Sequence, residues 1–94
     1  MKRMSNQEVI NAFVKGVKDV QSYNGNLYVS WDGNRLINYS TCIAQRNENG
    51  TFTVNSTKYS VTTSKLQNYV RYTIGKGNYS IKEVTNIRVN TLHL

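Results

Sequence analysis

Along residues 5–20, SNQEVINAFVKGVKDV, apolar side chains recur at Val9, Ile10, Phe13, Val14 and Val17. That spacing matches a helix of about 3.6 residues per turn and predicts one apolar stripe along it. Ser5 and Glu8 stand at S-x-x-E spacing just ahead of the stripe. In that pattern a hydroxyl and a carboxylate satisfy the free amides of a first turn. The stripe reads as a core face that one sheet would suffice to cover.

The period then changes to two. In residues 26–31, NLYVSW, the alternation points Leu27, Val29 and Trp31 one way and Tyr28 and Ser30 the other. Asp32-Gly33-Asn34 predicts a turn, because Gly and Asn tolerate positive φ. Residues 35–46, RLINYSTCIAQR, are long for one strand and leave room for a bulge. Asn47-Glu48-Asn49-Gly50 predicts a second turn and residues 51–55, TFTVN, a third strand, which completes an antiparallel meander.

Helical spacing returns over residues 62–74, with Leu66, Tyr69, Val70, Thr73 and Ile74 on one face. Ser64 and Gln67 form an S-x-x-Q box, and Thr62 and Thr63 offer alternative caps. Gly75 ends the helix. The tail over 79–92 alternates weakly, Tyr79 with Ile81 and then Ile87 with Val89, and reads as one or two short strands. The order α-β-β-β-α-β predicts an α+β fold, a small antiparallel sheet with two helices, in a single domain over 1–94.

Composition narrows the classes. No apolar run approaches the roughly 20 residues that span a bilayer, and no continuous apolar stretch follows the basic start MKRM. The expectation is a cytoplasmic protein with no membrane partner. Cys42 is the single cysteine, so no internal disulfide can form, and a reduced, semi-buried thiol is expected. Formal net charge is +7, unevenly placed. Residues 58–94 carry Lys58, Lys65, Arg71, Lys76, Lys82 and Arg88 against Glu83 alone. A basic half fits a polyanion or an acidic protein surface, and it also serves solubility.

The catalytic inventory is thin. His93, the single histidine, stands one residue from the end of the sequence. One Cys, one His and five scattered acids do not supply the roughly four ligands of a zinc site. The chain lacks the G-x-x-x-x-G-K-[ST] and G-x-G-x-x-G phosphate loops, and Gly75-Lys76-Gly77 is too short to count. The expectation is no enzyme, no cofactor and no metal.

Residues 58–65, KYSVTTSK, place hydroxyls at a predicted helix start between Lys58 and Lys65. Free amides and partial positive charge there attract anions, although plain capping needs the same Ser and Thr. Farther along, Tyr69, Arg71, Tyr72, Lys76 and Tyr79 interleave aromatics with bases, as do surfaces that stack nucleobases or anchor protein interfaces. On the second helix Ser64, Asn68 and Arg71 share the polar face. The candidate binding residues for protein or nucleic acid are Lys58, Ser64, Lys65, Asn68, Arg71, Tyr72, Lys76 and Arg88.

The block from Leu36 to Val70 resembles a family of small bacteriophage and prophage proteins of uncharacterised function. The phrase Tyr39-Ser40-Thr41 followed by Ile43-Ala44 is similar to the family's strand. Tyr59-Ser60, Thr62-Thr63-Ser64-Lys65 and Gln67-Asn68 are similar to its helix start. The resemblance assigns no catalytic residue. It implies an accessory protein in the bacterial cytoplasm, acting as a stoichiometric binder or inhibitor of a host or defence protein. A CRISPR nuclease is one such target. The competing expectation is a small basic nucleic-acid-binding protein.

Overall fold

The computed structural model describes residues 2–75 and 77–82. The elements are β1 (Lys2–Met4), α1 (Asn6–Lys15), β2 (Val20–Ser22), β3 (Leu27–Val29), β4 (Arg35–Asn38), β5 (Thr41–Arg46), β6 (Phe52–Asn55), α2 (Val61–Ile74) and β7 (Tyr79–Lys82). They form one seven-stranded sheet in which sequence order is also spatial order. The two helices and the α+β class match the sequence pattern, whereas the order α-β-β-β-α-β and the purely antiparallel sheet do not. The sheet is mixed, because β1 pairs parallel with β2 and β6 pairs parallel with β7.

Parallel neighbours need a long crossover, and α1 and α2 are those crossovers. Both leave strands that run the same way and step the same way across the sheet. Crossovers of the usual right hand therefore bring both helices to one face. There Gln7 of α1 donates to Thr73 Oγ1 of α2 at 3.2 Å. Val9, Ile10 and Phe13 of α1 and Leu66, Val70 and Ile74 of α2 meet Val20, Leu27, Val29, Leu36 and Val54 of the strands in the core.

Three further departures have local causes. The segment 35–46 is two strands, because Tyr39 adopts φ 58° and reverses the chain through Tyr39-Ser40. The expected bulge is present: Leu36 pairs with Ala44 and Ile37 with Cys42, which leaves Ile43 extra. Helix α1 stops at Gly16, whose φ of 85° belongs to the left-handed region, so Val17 lies outside the stripe and is exposed. Trp31 does not join Leu27 and Val29 in the core; it sits on the turn after β3, 88% exposed.

The predicted start of α1 holds. Ser5 caps the Glu8 amide and the Glu8 carboxylate accepts from the Ser5 amide at 3.0 Å. The expected turns at Asp32–Asn34 and Asn47–Gly50 also form, with Gly33 and Gly50 at φ 79° and 85°. Tyr79 and Ile81 lie in β7, while Ile87, Val89 and His93 fall outside the described residues. No helix among the described residues is long and apolar enough to cross a membrane.

Candidate binding face on helix α2

Helix α2 begins at Val61, one residue ahead of the expected span 62–74 and four ahead of a start capped by Ser64 in the S-x-x-Q box. Its N-cap is Ser60, extended at φ −142°, whose hydroxyl accepts from the Thr63 amide at 3.1 Å. Thr62, Thr63 and Ser64 are therefore helical rather than capping. Tertiary contacts make this choice. Thr63 Oγ1 donates to Asn38 Oδ1 at 2.7 Å, and Asn38 Nδ2 donates to the Asn26 carbonyl at 3.0 Å.

Gln67, the expected box partner, points inward instead. Its Nε2 donates to the carbonyls of Asn55 at 2.6 Å and Thr57 at 3.0 Å. Asn55 in turn donates to the Cys42 carbonyl at 3.1 Å and the Tyr59 hydroxyl at 2.8 Å. Buried polar groups must find such partners, and among the described residues every buried side-chain nitrogen and oxygen does. This network fastens the inner side of α2 to the ends of β4, β5 and β6.

The outer side is free of that network. Val61, Lys65, Asn68 and Tyr72 lie at steps of four, three and four, which is one stripe along a helix. Val61 is 78% and Tyr72 87% exposed. Lys58, Ser64, Lys65 and Asn68 line one shallow concavity of about 530 Å³ at the N-terminal end of the stripe. Arg71 donates to Asn68 Oδ1. Six of the eight candidate residues thus gather on one face; Lys76 and Arg88 fall outside the described residues.

Two members escape the sequence reading. Val61 joins the stripe only when Ser60 is the cap. Tyr69, expected in the core, is about half exposed, because Gln67 and Thr63 occupy the inner face that a purely apolar count gives to Tyr69 and Thr73.

The sequence around this helix is one-sided in charge. From Asn49 to Lys82 the sequence holds Lys58, Lys65, Arg71, Lys76 and Lys82 and no acid. The first turn of α2 carries no carboxylate to offset the partial positive charge of the helix start.

Elsewhere the chemistry is quiet. Among the described residues no cluster of three or more His, Cys, Asp and Glu side chains could hold a metal ion. Cys42 is fully buried rather than semi-buried, and burial pushes its thiol up to about 11, so it remains protonated near neutral pH. Ser5 holds Glu8 below the usual carboxylate range through backbone and side-chain hydrogen bonds. No protein-family model, curated protein or solved structure matches the chain.

Proposed function

We propose that this chain is a phage-encoded accessory protein that binds and inhibits a host or defence protein, with the outer face of α2 as its docking surface. The observation that carries the docking reading is a two-sided helix. Its inner side is fixed by Thr63 and Gln67, and its outer side presents Val61, Lys65, Asn68 and Tyr72 in one stripe. Pre-ordering of this kind lowers the entropy lost on binding. The complementary partner surface is acidic around an apolar or aromatic centre. The phage origin and the anti-CRISPR kind of target rest on the family resemblance alone.

A nucleic-acid reading draws on the acid-free run of five bases from Asn49 to Lys82. Protein docking accounts for more of the face. Val61 and Tyr72 offer apolar area at both ends of the stripe, which a protein partner can bury and a phosphate backbone cannot.

Two measurements test the proposal. In bacterial cells with CRISPR immunity, the wild-type chain is expected to restore plaque formation, and K65E/Y72A to lose it while keeping the wild-type unfolding temperature. No effect of the wild-type chain overturns the nuclease target. Fluorescence anisotropy with labelled DNA and RNA is expected to show no binding at physiological salt. Micromolar binding with a log–log salt slope of about −0.7 to −0.9 per phosphate contact would replace protein docking by nucleic-acid binding.

A further inference from the structure

A second cavity, about 300 Å³ in volume, lies on the other face of the sheet. Tyr28 and Ile37 face each other across β3 and β4 there, alternating with the core residues Val29 and Leu36. Trp31 forms the lip, and Asp19, Asp32 and Arg35 supply charge. A concave, partly aromatic site with few polar groups is the usual form of a small-ligand site. The geometry points to a pocket for an organic cation, an ammonium or guanidinium head group held between the rings of Trp31 and Tyr28 and the carboxylates of Asp19 and Asp32.

The polar inventory selects this class. Ser30 is occupied, since its hydroxyl donates to Asp32 Oδ1 at 2.6 Å and accepts the Arg35 amide at 3.0 Å. Asp32 Oδ1 also accepts the Asn34 amide at 3.0 Å, which fixes the carboxylate in its turn. The Ser30 hydroxyl, more than the other contacts, holds Asp32 below the usual range, so it stays ionised at neutral pH. Asp19 follows the end of α1 with φ 62° and lies on the same rim. The groups with acceptor capacity left over are thus carboxylates beside aromatic faces. Donor-rich cations fit such a setting through charge-assisted hydrogen bonds and cation–π attraction. Among the described residues Arg35 carries the one positive charge on the cavity wall, and Lys18 packs its stem over neighbouring Gly33. Both oppose a cation, which sets the expected affinity in the millimolar range. This pocket is independent of the α2 face.

Trp31 is the single tryptophan, so its emission reports directly on the lip. The full chain is titrated with N-acetyl-arginine methylamide and with its uncharged isostere, N-acetyl-citrulline methylamide. A saturable change at millimolar arginine analogue is expected, with the citrulline analogue at least fivefold weaker. Asp19→Asn is expected to weaken the arginine analogue about fivefold, the size of one exposed charge contact. Glu8→Gln, in the first turn of α1 on the helix side of the sheet, removes the same charge and is expected to leave binding unchanged. A tetrapeptide containing Arg that binds more tightly than the single residue identifies a partner chain as the source, and equal binding identifies a free small cation. Equal response to both isosteres, or no saturation with either, overturns the pocket. So does an equal effect of Asp19→Asn and Glu8→Gln.

Discussion

Tyr39 stands at the first of the two residues that join β4 to β5, at φ 58°. A side chain there costs about 1–2 kcal/mol, and Asn tolerates the region better than Tyr. The turn is held by the Tyr39 amide, which donates to the Asn26 carbonyl at 2.7 Å, and by its hydroxyl, which accepts from Asn26 Nδ2 at 3.3 Å. Tyr39→Asn is expected to raise stability by about 0.5–1 kcal/mol in urea unfolding. A loss would show that the exposed hydroxyl contact outweighs the backbone strain. Gln67 is the opposite case. Gln67→Leu keeps the volume roughly constant but removes the Gln67 donor from the Asn55 and Thr57 carbonyls. The expected loss is about 1–3 kcal/mol, again read from urea unfolding. The helical pattern makes position 67 inward-facing; the two carbonyls it must satisfy come from a strand end and a loop, which no local pattern reveals.

At the scale of elements, the ends are held by polar groups rather than by propensity. Arg46 of β5 donates to the Phe13 carbonyl near the end of α1 and lies 4.9 Å from the Phe52 ring centroid and 5.6 Å from that of Phe13. Arg46→Lys keeps the charge but loses the planar guanidinium that stacks and donates together, and is expected to cost about 1 kcal/mol in thermal unfolding. Glu8 at the start of α1 and Asp32 in the turn before β4 both titrate lower in the folded chain than unfolded. Their stabilisation is complete above the ordinary carboxylate range and is lost as pH falls through their lowered values. Stability is therefore expected to fall on acidification below about pH 4, and E8Q/D32N to flatten that limb of the urea-midpoint profile. Helix α1 was legible because cap and stripe sit within one segment. Strands β1 and β2 were not, because each has three residues and is a strand only through its neighbour.

For the whole molecule, the decisive feature is that both crossovers share one direction. The helices then stand side by side and leave α2 with one inner and one outer face. In the proposed complex a net charge of +7, with the acid-free run over residues 49–82, steers an acidic partner toward that face. Association of the proposed complex is expected to slow as salt rises while dissociation changes little, as measured by stopped-flow mixing. An equal salt effect on both rates would place buried charge pairs at the centre of the contact instead.

The sequence by itself determined the two helices, the capping box at Ser5 and Glu8, the turns at Gly33 and Gly50, and a basic second half. All of these depend on side chains within a few residues of one another. Tertiary structure alone decided the parallel outer pairs, the cap at Ser60, the inward turn of Gln67 and the exposure of Tyr69. Each of these is set by a partner far away in sequence. Strand pairing needs a neighbour, and a buried polar side chain needs a carbonyl, that only the folded chain brings within reach.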